Sequence, residues 1–137
     1  TSTAFFARGS ILIKSGAKHL LDIRLNNNSQ LAGFTKRDDL RYFLLKLAKM
    51  EYHVMQELAP DESILKEYRA DHDWAKYEIA YNKLIEQRRI ERYIPFNLIQ
   101  EGIVLLCSEA EPIHCHRRLA AEYLAKTISV EVNIEHL

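Results

Sequence analysis

Ile103-Val-Leu-Leu-Cys107-Ser-Glu109-Ala-Glu-Pro-Ile-His114-Cys115-His116-Arg117-Arg118 is the stretch from which the rest of the chain can be read. Four apolar residues run into a cysteine, the pattern of a short buried strand. An acidic loop with a proline follows, and then a helix is expected from about Ile113 to Lys126, with cysteine, histidine and two arginines in its first turn. In open α/β sheets the junction of strand, loop and helix N-terminus is where ligands bind, because free N–H groups and the helix dipole attract negative charge there. Thiols, imidazole and guanidinium groups crowd that junction. The stretch marks where a site lies without naming what the site acts on.

Upstream, His19-Leu-Leu-Asp-Ile-Arg24 reads as a second short strand, buried and ending in charge. Thr3 to about Ser15 reads as a helix stopped near Gly16, and Asn26 through Gly33 as a polar loop of turn-tolerant residues. Thr35-Lys-Arg-Asp38 has capping-box spacing before a helix to about Lys49, with Leu40, Phe43, Leu44 and Leu47 on one face. Tyr52-His-Val-Met55 is a candidate strand, and Pro60-Asp61 opens a short helix through Tyr68. Asp73 caps a longer helix in which Trp74, Tyr77, Tyr81, Leu84 and Arg88 recur at steps of three and four, an aromatic stripe read as core. Arg88-Arg89-Ile-Glu-Arg92 reads as a solvated face, Pro95 opens a last turn, and Val130-Glu-Val-Asn-Ile134 reads as a closing strand. Strands alternating with helices imply an α/β fold, a mostly parallel sheet flanked by helices in a Rossmann-like arrangement.

The chain of 137 residues is one domain by length, 1–137, and its 19 basic and 19 acidic residues cancel. An extended nucleic-acid surface is therefore not expected. No apolar run approaches the roughly 18–20 residues of a membrane span, so no membrane partner is expected. Two cysteines in an α/β pattern read as reduced, intracellular thiols, which makes the cytoplasm the expected compartment.

Asp22 and Arg24, two apart on a strand, point to one face. They form either an internal ion pair or an arginine that holds an anionic ligand while the aspartate orients it. Cys115 at a helix N-terminus beside cations should have a lowered pKa, which suits a nucleophile, while packing along its own helix suits a structural thiol. Cys107 reads as a small buried hydrophobe. A metal site from the cysteines, His114, His116, Glu109 and His53 is not expected, because seven residues separate the cysteines and zinc prefers tight ligand pairs. Arg117 stands out: arginine opposes the dipole at a helix start, so its presence there suggests recruitment of a phosphate, a carboxylate or an acid such as Glu109 or Asp22. Cysteine phosphatases and rhodaneses also follow a strand with cysteine and arginine, yet no glycine lies between Cys107 and Arg117, so that chemistry stays an analogy.

Leu106-Cys107-x-Glu109 followed by Cys115-His116-Arg117-Arg118 and Ala121-Glu122-Tyr123-Leu124 resembles the signature of the domain of unknown function 488 family. Leu21-Asp22-Ile23-Arg24 with Asn26-Asn27 matches the Asp-Val/Ile-Arg element of that family, and Tyr52-x-x-x-x-Glu57-Leu58 and Ile134-Glu135-His136-Leu137 fall where similar pieces fall. The resemblance implies a small α/β domain and brings no established reaction. It also implies a first strand, ending near Ile-Gly-Phe or Ile-Gly-His, that this chain lacks before Thr1.

The expected site is an anion-accepting cleft at the C-terminal ends of the strands. Asp22, Arg24, Asn26, Cys107 and Arg117 are its ligand-binding candidates, and Cys115, His116 and Glu109 its catalytic candidates. The possible partner is a small anionic ligand, phosphorylated or nucleotide-like. Whether the protein is an enzyme, a non-catalytic module for a nucleotide or nucleic-acid end, or a fold locked by acid–arginine pairs stays open, as do any cofactor and the oligomeric state.

Overall fold

His19-Leu-Leu-Asp22 forms strand β1 (His19–Asp22), and all four of its residues are buried. It is buried on both faces and both edges because it is the middle strand. Strands β2 (Glu51–Val54) and β3 (Ile103–Leu106) flank it in the order β2-β1-β3. Both pairings are parallel, with Asp22 opposite Val54 on one side and Leu106 on the other. Parallel strands need long crossovers, so the chain between them must carry helices. The computed structural model describes residues 17–25, 37–43, 45–46, 49–107 and 114–128. The expected helix at Thr3–Ser15, the Asn26–Gly33 loop, the Thr35 cap, the side chains of Leu40, Phe43, Leu44 and Leu47, and the strand at Val130–Ile134 lie outside the described residues.

Helix α1 (Arg37–Phe43) lies between β1 and β2. Helices α2 (Glu62–Asp71), α3 (Trp74–Arg88) and α4 (Phe96–Glu101) lie between β2 and β3, and α5 (His116–Thr127) follows β3. Side chains alternate across the sheet with period two. Leu21, Ile23 and Cys107 therefore share one face and pack with Tyr77, Tyr81 and Ile85 of α3 and Leu119, Ala120 and Leu124 of α5. Leu20 and Leu106 face the other way, with Met50 and the half-buried Tyr52 and Val104.

Helix α3 starts where its cap predicts, since the Asp73 carboxylate accepts from the Lys76 N–H at 3.2 Å. Tyr77, Tyr81 and Ile85, spaced by four, are its buried stripe. Trp74 departs from the expected burial. It is half-buried at the first turn, stacked on Tyr77 at 4.7 Å between ring centroids, with His114 at 5.0 Å. It still packs against the core, with Tyr68 edge-on at 5.8 Å.

Arg88 also corrects the sequence reading, because it does not lie on a solvated face. Its Nη1 donates to the carbonyls of Glu57 (2.9 Å) and Ala59 (2.7 Å), and its Nη2 to Asp61 Oδ1 (2.6 Å). The short 3-10 turn Gln56–Leu58 offers carbonyls outside any ladder, and a guanidinium fork gathers them. Arg89 and Arg92 are exposed, as expected.

Between α4 and β3, Gly102 has φ +93, a conformation that side-chain-bearing residues rarely adopt. Its carbonyl accepts from both Lys18 N and His19 N at 3.2 Å, tying the entry of β1 to the entry of β3.

Candidate functional site

Six of the eight candidate residues, Asp22, Arg24, Cys107, Cys115, His116 and Arg117, are described, and they lie toward the C-terminal edge of the sheet. Asp22 ends β1 with no exposed surface, and Arg24, two residues on, folds back onto it. Arg24 Nε donates to Asp22 Oδ1 and Arg24 Nη2 to Asp22 Oδ2, both at 2.8 Å, a bidentate pair. The Arg24 backbone N–H adds a third bond to Oδ1 at 3.2 Å. Tyr52, facing the same side of the sheet from β2, donates its hydroxyl to Asp22 Oδ2 in a short hydrogen bond. Burial alone would lower the Arg24 guanidinium, but the Asp22 carboxylate outweighs it and raises its pKa. The Tyr52 phenol is pushed well up, first by burial and then by the bond to Asp22. The internal ion pair, one of the two readings of Asp22 and Arg24, is thus present.

Helix α5 begins at His116, three residues later than expected. Cys115 has extended backbone angles, φ −146 and ψ 134, and is the N-cap, not a first-turn residue. Its sulfur stands where a serine or aspartate oxygen usually does and accepts from the Arg117 N–H at 3.3 Å. Cys107, leaving β3, brings its Sγ within 2.8 Å of Cys115 Sγ, so the two sulfurs are in direct contact. Both are buried. His116 is buried too, packed edge-on to Tyr81, and its Nε2–H donates to the Ile23 carbonyl at 3.0 Å. A carbonyl only accepts, so this bond fixes the proton on Nε2. It also pins the start of α5 to the chain leaving β1.

The two arginines of α5 differ in their ion pairs, although Arg118 Nε, like Arg117 Nη2, is buried without a hydrogen-bond partner among the described residues. Arg118 reaches Glu122 at 3.3 Å and Glu78 at 3.6 Å. Arg117 is half-buried, and its Nη2 is buried without a hydrogen-bond partner among the described residues. The structure thus brings Asp22, Arg24, Cys107, Cys115, His116 and Arg117 to one edge of the sheet. Asn26 and Glu109 lie outside the described residues.

The ligand set weighed for zinc is not assembled among the described residues. His114 is exposed beside Trp74, and the grouped metal-capable side chains are instead His19, Glu51 and His53 at the other end of the sheet. Sequence reasoning missed Tyr52 as the third partner of Asp22. Its signal was the alternation Tyr52-His53-Val54, which puts Tyr52 and Asp22 on a common face once the strands are paired. Among the described residues, no helix is long and apolar enough to cross a membrane.

Comparison with known proteins yields no significant match among the curated proteins and none among the solved structures. A family model does match, over residues 5–124, a span that runs from before β1 through most of α5 and includes every residue just described at the sheet edge. The chain belongs to the family described as the domain of unknown function DUF488.

Proposed function

We propose that the C-terminal edge of the sheet accepts the phosphate or carboxylate of a small molecule, nucleotide-like or phosphorylated, with Arg117 as the residue that grips it. One observation carries the reading: a guanidinium nitrogen of Arg117 is buried without a partner among the described residues. A buried donor left unsatisfied costs on the order of 1–3 kcal/mol, more when charged, and an anion would recover it. The position supports the reading as well, since Arg117 lies in the first turn of a 12-residue helix that starts at the C-terminal edge of a parallel sheet.

The neighbouring groups divide into roles. Arg24 is committed to Asp22 and acts as scaffold, holding the end of β1 against β2. His116 and Cys115 set the angle and start of α5, and so aim Arg117. Burial of both thiols favours binding over nucleophilic attack by Cys115, and slow alkylation of Cys115 at neutral pH accompanies this reading.

Titration of the protein with inorganic phosphate and with adenosine monophosphate, followed by calorimetry or amide chemical shifts, tests it. Binding is expected to weaken as salt rises. Arg117→Lys should weaken it about tenfold or more while leaving the unfolding midpoint in place, because lysine keeps the charge and loses the fork. Absence of binding by either ligand, or equal binding by Arg117→Lys, refutes the proposal.

A further inference from the structure

We propose that His19, Glu51 and His53 form a binding site for a divalent transition-metal ion of the zinc class, with Glu101 as the carboxylate that orients His19. This site lies at the opposite end of the sheet from Arg117 and does not depend on the anion reading.

The sheet register builds it. His19 and Glu51 are direct partners across the parallel β1–β2 pair, so their side chains leave the same face, and His53, two residues beyond Glu51, joins them. His19 Nδ1 lies 3.0 Å from His53 Nε2 and 3.5 Å from Glu51 Oε2, and His53 Nε2 lies 3.7 Å from Glu51 Oε2. Zinc binds nitrogen and carboxylate oxygen at about 2.0–2.2 Å, which places tetrahedral ligand atoms roughly 3.3–3.5 Å apart. The three separations bracket that edge. A point about 2.05 Å from all three atoms exists, roughly 0.5 Å out of their plane, close to the roughly 0.7 Å of an ideal tetrahedral site.

The fourth residue explains the orientation. His19 Nε2 is 2.8 Å from Glu101 Oε2, at the end of α4. A carboxylate only accepts, so the His19 proton sits on Nε2 and the Nδ1 lone pair faces His53 and Glu51. Carboxylate, imidazole and a second nitrogen is the outer-shell pattern that fixes the tautomer of metal-bound histidines. One proton on His53 Nε2 would satisfy the contact with His19 alone. A dication satisfies His19, His53 and Glu51 together.

Exposure rises across the set, from 5% for the His19 side chain through 28% for His53 to 65% for Glu51. One ligand is anchored in the sheet and the other side is open to water. Three protein ligands with solvent access leave coordination positions free, the feature that separates catalytic from closed structural zinc sites.

The whole chain, stripped with a chelator, is titrated with zinc against a chromophoric competitor, and with cobalt(II) for its spectrum. One equivalent should bind, and the unfolding midpoint should rise with zinc. His53→Ala and Glu51→Gln, at half-buried and exposed positions that leave the fold intact by circular dichroism, should each weaken binding 100-fold or more. Glu101→Gln should weaken it about 10- to 100-fold, the usual effect of losing an outer-shell partner. No binding by the parent chain, or undiminished binding by His53→Ala and Glu51→Gln, overturns the site. So does a strong thiolate-to-cobalt band, which would place the ion on Cys107 and Cys115.

Discussion

Asp22→Asn changes one atom at the most enclosed polar point of the sheet, and its cost can be worked from the bonds that converge there. The carboxylate accepts four hydrogen bonds, three from Arg24 and one from Tyr52, with no exposed surface. An asparagine keeps one oxygen. Left at Oδ1, that oxygen retains the Arg24 Nε and backbone N–H bonds, and the new NH2 faces the Nη2 of Arg24, donor against donor. Losing a hydrogen bond to a charged group costs about 1.5–3 kcal/mol. The Arg24 guanidinium also stays buried without its counter-charge, and breaking a buried pair on one side costs about 3–5 kcal/mol in all. Urea unfolding should therefore show a stability loss of about 3–5 kcal/mol with an unchanged slope. Replacing both partners, Asp22→Leu with Arg24→Met, should recover most of the loss, since no charge is stranded. A single-mutant loss below about 1 kcal/mol, or a double mutant as unstable as the single, would refute the ion pair as the element that holds this end of the sheet.

Other consequences can be measured as directly. Tyr81→Phe removes the hydroxyl that donates to the Leu58 carbonyl at 2.6 Å in the core, and should cost about 1–3 kcal/mol by calorimetry, with no change in the phosphate affinity expected of Arg117. Tyrosine ionisation followed by ultraviolet absorbance should leave part of the seven-tyrosine signal for high pH. Tyr123, pushed up to about 12 by burial and by its bond to Glu91, should titrate late, and Tyr52 and Tyr81 later still or only on unfolding. Because these phenols hold their protons longer folded than unfolded, their contribution to stability is complete below about pH 10 and is lost as pH rises through their folded values. A single tyrosine transition centred near pH 10 in the native protein would contradict the burial and the bonds.

The elements legible in the sequence were those with local punctuation. Asp73 announced α3, Pro95 announced α4, and the apolar runs before Asp22 and Cys107 announced β1 and β3, because caps and short buried strands are written within a few residues. The start of α5 was less legible. Cysteine is rarely counted among capping residues, so the helix read as beginning before Cys115 when Cys115 is in fact its boundary. Arg88 was misread because the two carbonyls and the carboxylate it gathers lie 27–31 residues upstream, and periodicity on one helix carries no information about them. The candidate site was legible as an edge and illegible as a set of bonds. Asp22 with Arg24 could be named as a pair, but Tyr52 and the whole His19, Glu51, His53 and Glu101 group exist only once β1, β2 and α4 are brought together.

The brevity of β1 gives its two polar residues a further task. Leu20 and Leu21 are interchangeable neighbours, and a middle strand of four residues could slide one step along β2 and β3 at little loss to its backbone ladder. His19 and Asp22, about 10 Å apart at the ends of the strand, forbid it. A one-step slip would swap the faces of every side chain. It would take His19 from Glu101 and Asp22 from Tyr52 in the same move. The strand is pinned at both tips like a ruler between two stops, and whatever tightens one stop also holds the alignment of the other.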